Sequence, residues 1–435
     1  MAAVVPLQAV LFRPGAPELA QWTSIALEPL SRWNTKGPAY KLYAGTAAKT
    51  CPETSAAAVA ASTHGTGAPG ESTCDVGVDD DLLFLDETLG FFVYRQEFRT
   101  DSGLDKSRLG LVALLDPDGD PSGPVYTTQD TEPYGVERCA EEISESTLQL
   151  TPLIAAVEDL KFELEKLLER GILLRDQPDI SIELPQGDRH RLWKIEDPTL
   201  LGKLTEFFRG KECFLLDGIH SYRALRRLFP EDPLCPLTIF FNLFDFGVSL
   251  SASTLLVKDL PGLKINDVAL RMEDFFETKT YPFAGPQQLP RALTDFREDL
   301  RIRGFTENVV GACFAGVDHF FLFQLREGVD RAKVFLPDVK PPHQEFDSVL
   351  LRSVLLEQYL GVSAAAGAVD YTWSIEEAVA AVRSGKFGAA FFINPPNKRK
   401  LLNLARSGFR LPPGSARLEP PVRSRLVMTA AGRAR

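Results

Sequence analysis

The stretch Cys213-Phe-Leu-Leu-Asp217-Gly218-Ile219-His220-Ser221-Tyr222, with the Arg-rich run behind it to Phe229, carries the reading of the fold. The apolar residues before Asp217 form a buried strand. Asp-Gly then makes a turn, because glycine enters the left-handed region without steric cost. A helix follows from about Ser221 to Phe229. In α/β folds, ligands favour this edge, outside the carboxyl ends of the strands. A helix start presents N–H groups with no intrahelical partner and a positive dipole end, which suit a phosphate or carboxylate. Asp217 is placed to position a metal or a hydroxyl, and His220 carries a side chain that moves protons near neutral pH. The plainer reading is that Asp-Gly turns the chain and caps the helix.

Outward from this unit, strand and helix signals alternate. Val4 to Phe12 reads as a first strand rather than a signal peptide, since no basic segment precedes it. Phe91 to Tyr94 and Leu109 to Leu115 read as a hairpin, as do Ile182 to Leu184 and Arg191 to Ile195 around Pro185-Gln-Gly-Asp188. His190, at the edge of that turn, reads as a surface histidine. Pro152 to Arg170 gives the clearest helical spacing, through Leu153, Val157, Leu160, Leu164, Leu167 and Leu168, with Gly171 behind it. Downstream, 237–244 and 249–257 read as paired strands, and helices are predicted over 265–277, 289–302 and 346–360. Another hairpin spans 309–314 and 319–325. A closing βαβ-like unit runs from Tyr371 through a helix at 375–383 to a strand at 389–393, then 396–407. The predicted class is mixed α/β.

Residues 45–80 differ in composition: Ala, Ser, Thr and Gly dominate, so this insert is predicted to be disordered. The turn at Asp116-Pro-Asp118-Gly-Asp120 superficially resembles a calcium loop, but Pro121 and Thr127 stand where that loop needs glycine and glutamate, so it reads as a solvated turn. Residues 430–435 are predicted to fray. The chain divides into an α/β core over 1–232 holding the insert, a second α/β region over 233–410 and a tail over 411–435.

With 435 residues and 44% hydrophobic content, the chain can bury a substantial core. Its net charge of −11 argues against general nucleic-acid binding and against docking on an anionic membrane. The six cysteines are widely spaced, with no CxxC pair, so they read as free thiols of a reducing, cytoplasmic compartment. The most apolar stretch, Cys235 to Leu250, is too interrupted to span a membrane. No Walker loop, strand-linked GxGxxG, HExxH or GxSxG is present.

Several segments stand in a telling order: Leu7-Gln-Ala-Val-Leu-Phe-Arg-Pro14, then Phe92-Val-Tyr94-Arg95-Gln96 with Arg108-Leu-Gly110-Leu-Val-Ala113, then Tyr126-Thr-Thr-Gln129-Asp130-Thr131 with Arg138 beyond. Leu192-Trp193-Lys-Ile195, Leu216-Asp217-Gly218-Ile219-His220-Ser221-Tyr222 and Leu411-Pro412 follow. Over nearly the whole chain these resemble the opening, the tyrosine-arginine hairpin, the His-Glu-Lys-Thr block, the Leu-Trp strand, the Asp-Gly-His-His-Arg-Tyr motif and the Met-Pro-Gln-Lys-Ser-Thr tail of the prokaryotic domain-of-unknown-function 1015 family. The Asp-Gly block is similar to the nucleotide-contacting motif of the ParB and sulfiredoxin superfamily, whose relatives include free-serine kinases. The resemblance implies a ParB/sulfiredoxin-like core, with Asp217 and His220 as catalytic residues. It places Gly218, Ser221, Tyr222, Gln129, Thr131 and Arg138 around a cofactor, ATP or ADP with Mg2+.

The chain departs from that pattern at charged positions. Ser221 stands for the motif arginine, Ile219 for its first histidine, Gln129 for the acid and Gly414 for the tail lysine, while Ala252-Ser253-Thr254-Leu255 replaces a Pro-Thr-His-Arg element. An amide cannot accept a proton as a carboxylate does, and lost cations no longer pair with phosphate. Arg223, Arg226 and Arg227 lie just beyond the motif and read as solvated charges. Two readings follow. One is a divergent binding or regulatory protein, a pseudoenzyme for a small-molecule or nucleotide ligand. The other is an active phosphotransferase acting on a small hydroxyl metabolite such as serine.

Overall fold

A computed structural model describes residues 4–12, 83–86, 88–100, 103–119, 122–145, 148–184, 187–230, 234–258, 260, 270–362 and 368–430. The architecture is mixed α/β, built on two large sheets. The first has nine strands: β1 (Val4–Val5), β2 (Phe91–Arg99), β3 (Asp105–Leu115), β4 (Val125–Thr127), β5 (Leu153–Val157), β6 (Ile180–Glu183), β7 (Arg189–Ile195), β8 (Cys213–Asp217) and β9 (Leu237–Asn242). Their spatial order is β4-β8-β5-β9-β3-β2-β7-β6, with β1 paired to β3. The pairs β4–β8 and β5–β9 are parallel and the rest antiparallel. The second sheet is antiparallel throughout. It contains β10 (Thr254–Val257), β11 (Phe276–Pro282), β12 (Val309–Phe314), β13 (His319–Leu325), β14 (Val369–Thr372) and β15 (Ala389–Ile393), in the order β11-β13-β12-β15-β10-β14.

Helices α1 (Pro133–Glu145), α2 (Glu163–Leu173), α3 (Pro198–Phe208) and α4 (Ile219–Leu228) belong to the first half, and α5 (Leu289–Arg303), α6 (Ile375–Arg383) and α7 (Lys398–Arg406) to the second. Strand alternation decides what each sheet face meets. From β2, Phe91 and Val93 join Leu164, Leu168, Leu200, Leu204 and Phe208 of α2 and α3 in one cluster. Phe92 and Tyr94 point the other way, into a larger cluster shared with Val310, Phe321 and Phe391 of the second sheet. The far face of that second sheet is covered by Phe296 and Leu300 of α5 and Val379 and Val382 of α6. Local signals agree: Asp197 caps α3 by accepting from Leu200 N–H at 2.8 Å, with Pro198 behind it, and Ser374 caps α6 from Glu377 N–H at 3.1 Å.

Four secondary-structure expectations are corrected or refined. Leu153–Val157, expected in a helix, is a fully buried strand between β8 and β9, and the helix starts only at Glu163. The leucine spacing mimicked a helix, but five consecutive buried residues need partners on both sides, and sheet pairing overrides the local pattern. Residues 249–257 do not pair with β9: Ser249–Ser251 pairs with Arg417–Glu419, and Thr254–Val257 enters the second sheet. The helix expected over 265–277 gives way at Phe276 to β11; residues 261–269 lie outside the described residues. The helix expected from Phe346 starts at Asp347 and is π-wound over Leu350–Leu360. His190, expected at the surface, is 1% exposed and sits 2.7 Å from the Tyr94 hydroxyl.

The insert at 45–80 and residues 431–435 of the tail lie outside the described residues. Cys139, Cys213, Cys235 and Cys313 form no disulfide. Among the described residues, no helix is long and apolar enough to cross a membrane.

After the second sheet the chain returns to the first. A bridge joins Leu411 to Gln129, and Thr429–Ala430 pairs with Leu148–Gln149. This return lays residues 411–417 along the edge where β8 ends.

Candidate functional site

β8 ends at Asp217, Gly218 turns with φ 75°, and α4 begins at Ile219. Glycine is required here twice over. The left-handed backbone disfavours any L side chain, and a Cβ would lie 2.6 Å from Leu153 Cδ2. The Asp217 carboxylate accepts from Gly218 N–H at 2.7 Å and does not cap the helix, and no other side chain does so. The α4 start therefore keeps the character of an anion-binding helix end. Burial pushes the Asp217 pKa up, against the Gly218 N–H and the charge of Arg417, which favour the carboxylate.

His220 is held differently from a proton shuttle. Its Nε2 accepts from Glu132 N–H at 3.2 Å. Burial, then the charges of Arg223 and Arg138, lower its pKa to about 4, so it is neutral at physiological pH. Its visible work is to fasten the loop leading into α1.

The loop at 128–132 does lie against this turn. Thr128 Oγ1 donates to Leu215 O at 2.7 Å. Gln129, 6% exposed, has both ends of its amide occupied. Nε2 donates to Ala416 O at 2.7 Å and Leu216 O at 3.2 Å, while Oε1 accepts from Ala416 N–H at 3.1 Å. Thr131 Oγ1 accepts from Arg223 at 2.5 Å, and Arg223 also reaches Asp130 at 3.4 Å. Arg223 is thus a fastening for the loop rather than a solvated charge, and Arg226 pairs with Asp118 at 2.6 Å. Arg227 alone of the three is exposed.

The remaining expected residues are engaged elsewhere. Ser221 Oγ approaches Cys139 Sγ at 3.6 Å, on the α1 side. Tyr222 packs against the cluster of α2 and α3, and burial raises its pKa. Arg138, on α1, pairs with Glu142 at 3.1 Å and acts on His220 through its charge. The structure therefore gathers Asp217, Gly218, His220, Gln129 and Thr131, sets Arg138 behind His220, and turns Ser221 and Tyr222 inward.

Sequence reasoning missed the wall supplied by the tail and the second sheet. Gly414, at φ 78°, offers its carbonyl to Ser253 N–H at 2.9 Å and Ser253 Oγ at 2.8 Å, and a Cβ there would collide with Ser253 Oγ. A lysine at this position would not fit. Three residues on, Arg417 provides a cation instead. Its guanidinium stacks 4.0 Å over Trp373, bonds Glu419 at 3.2 Å and is felt by Asp217, while its buried Nε has no hydrogen-bond partner. Tyr371, hydrogen-bonded to Arg352, faces the same tail; burial pushes its pKa up to about 12, with the Arg352 charge opposing the rise and Glu132 adding to it. The available signal was the proximity of Arg417 to the tail segment in sequence, with no periodicity to mark it. Among the described residues, no three His, Cys, Asp or Glu side chains are grouped to hold a metal ion.

A family model described as "Protein of unknown function (DUF1015)" matches residues 71–332. Similar solved structures include a free serine kinase in complex with AMP, at 14% identity and TM-score 0.36, covering 73% of this chain and 92% of that one. A conserved hypothetical protein from Pyrococcus furiosus aligns at 13% identity and TM-score 0.37, covering 74% and 95%. SbnI with a C-terminal truncation, from Staphylococcus aureus, aligns at 10% and 0.35, covering 72% and 87%. No curated protein matches the chain.

Proposed function

The chain belongs to the family described as "Protein of unknown function (DUF1015)", and on that premise we propose that it is a divergent binding protein for a small phosphate- or carboxylate-bearing ligand, a nucleotide among them, without phosphotransferase activity. The observation that carries this reading is the state of Gln129. At the place where the family resemblance expects an acid, the amide spends both its ends on the backbones of Ala416 and Leu216. It is structural, and an amide cannot accept a proton as a general base must.

The other expected catalytic groups point the same way. His220 is a neutral acceptor committed to Glu132 N–H, and Asp217 is desolvated and bonded to its own turn. Binding has better support. The uncapped start of α4 follows Asp217 directly, and Arg417, whose Nε has no partner, acts on Asp217 through its charge; helix N–H groups with a guanidinium suit an anionic group. We extend the reading to a ParB/sulfiredoxin-like core over residues 1–232, with Ser221, Tyr222, Thr131 and Arg138 shaping the pocket from behind. Among the described residues no three His, Cys, Asp or Glu side chains are grouped, so a Mg2+ arriving with a nucleotide would rest mainly on phosphate and water.

The alternative, transfer of a phosphoryl group from ATP or ADP to a hydroxyl such as that of serine, keeps one observation in its favour: Arg417 supplies a cation where Gly414 removed one. A paired experiment separates the two. Nucleotide affinity is measured by calorimetry, and serine turnover with ATP and with ADP on the same preparation. Binding without turnover, weakened in Arg417→Met, is the expected result. Turnover abolished by Asp217→Ala would overturn the proposal in favour of the kinase. Absence of any binding by ATP, ADP, AMP or inorganic phosphate would overturn both.

A further inference from the structure

The second sheet ends at β11, and among the described residues no strand pairs with its outer side. Glu277, Thr278, Lys279 and Thr280 are all exposed there. An open edge strand is a template for a further strand. β11 is the longest such edge of the two large sheets, with seven residues against three in β4 and four each in β6 and β14.

The backbone pattern of this edge is fixed by its inner neighbour. Phe275 O accepts from Arg326 N–H at 2.9 Å, and Phe283 N–H donates to Asp318 O at 3.0 Å, in the same register that pairs β11 with β13. Residues of an antiparallel strand alternate between bonding that neighbour and turning their N–H and C=O away from it. The odd-numbered residues of β11 therefore face β13, and Phe276, Thr278, Thr280 and Pro282 turn their backbone groups outward. Pro282, with no N–H to leave unpaired, stands where an edge tolerates it. The side chains of Glu277 and Lys279 share the α5 face: Glu277 lies 3.3 Å from Arg303, and Lys279 bonds Asp299.

We propose that β11 is a homodimer interface, at which two copies of this chain join their second sheets edge to edge, antiparallel, about a two-fold axis at Thr278. Such an interface needs a self-complementary surface, and the two patterns of β11 supply one in a single register. With the axis at Thr278, the outward groups of Thr278 meet those of its own copy, and those of Phe276 meet Thr280 in both directions. Glu277 then stands opposite Lys279 of the other copy, a favourable cross-strand pair. Arg303, Glu277, Lys279 and Asp299 alternate in sign across the axis. An axis at Glu277 or at Lys279 would set like charges opposite each other. An axis at Thr280 would set Pro282, which has no N–H to give, against Thr278, and would take Glu277 away from Lys279. The edge strand β6 offers no such match, since its one charge, Glu183, has no cation on the strand to answer it. The contact is small, so the dimer is of micromolar rather than nanomolar affinity.

The test is sedimentation velocity of the full chain from about 1 to 100 μM, where a reversible monomer–dimer equilibrium is expected. Glu277→Lys and Lys279→Glu each set like charges opposite each other, so either variant alone should dimerise about tenfold more weakly. Mixed in equal amounts, the two variants restore opposite charges at every crossing and should form a heterodimer about as tight as the parent dimer. A parent that stays monomeric, a single variant that dimerises as the parent does, or a mixture that stays monomeric would overturn the proposal. If either variant does not fold, hydrogen exchange at the Thr278 and Thr280 amides of the unmodified protein decides. Exchange that slows as the concentration rises supports the interface, and exchange independent of concentration refutes it.

Discussion

Replacing Gln129 by glutamate would restore a carboxylate where the family resemblance expects one, and the surroundings oppose it. In Gln129→Glu the oxygen replacing Nε2 faces the carbonyls of Ala416 and Leu216, which the amide contacts at 2.7 and 3.2 Å. Two buried acceptors lose their donor, at roughly 1–3 kcal/mol each, so the loss is roughly 2–6 kcal/mol. A protonated carboxyl would recover one of those bonds. Burial and two facing carbonyls therefore raise the folded pKa of the new group above its unfolded value of about 4.3. With the folded pKa raised, the penalty is smallest below the unfolded value, grows as the pH rises toward the folded one and is constant above it. Urea unfolding at pH 5 and pH 8 should show a lower midpoint for the variant at both, with the wider gap at pH 8. Serine turnover should not appear in either protein. A variant as stable as the parent at pH 8 would refute the structural weight given to the Gln129 hydrogen bonds, and turnover gained by the glutamate would refute the view that the acid's place has become structural.

Gly218→Ala should cost about 1–3 kcal/mol, because φ 75° strains an L residue and Cβ lands 2.6 Å from Leu153 Cδ2; a Tm unchanged by the substitution would contradict the turn geometry. Arg417→Met should weaken nucleotide binding about tenfold, or ~1.4 kcal/mol, in a protein whose circular dichroism is unaltered; equal calorimetric affinity would remove Arg417 from the site. His220 has its pKa lowered from 6.5 to about 4, so its contribution is present above 6.5 and lost as the pH falls through 4, on the order of 3 kcal/mol at 1.36 kcal/mol per pKa unit. The His220→Asn variant should lose less stability than the parent between pH 7 and pH 4 in urea titrations, and parallel profiles would show that the histidine is not held neutral.

What could be read from the chain, and what could not, follows from where each pattern is written. The unit from Cys213 to Leu228 was legible because an apolar run, a glycine and a helix follow one another with nothing between. The β2–β3 and β6–β7 hairpins were legible for the same local reason. His190 was misread although its signal was present: it stands two residues before Leu192 on the same strand, so alternation puts both on one face, and that face is the core. Leu153–Val157 was misread because a strand buried between two others need not alternate, and its leucines fell at helical intervals by coincidence. The candidate site was half legible. Asp217, Gly218 and His220 are neighbours in sequence, while Gln129 meets Ala416 across 287 residues and Arg417 meets Trp373 from different parts of the fold. Such contacts leave no period in the sequence. A change from acid to amide at 129 reads as a lost base, and only the tail lying against it reveals what the amide now holds. The tail is therefore as much a part of this site as the Asp-Gly turn. Its own cations carry hydrogen-bonding capacity to spare: the buried Nε of Arg417 and the guanidinium nitrogens of Arg423 have no hydrogen-bond partner.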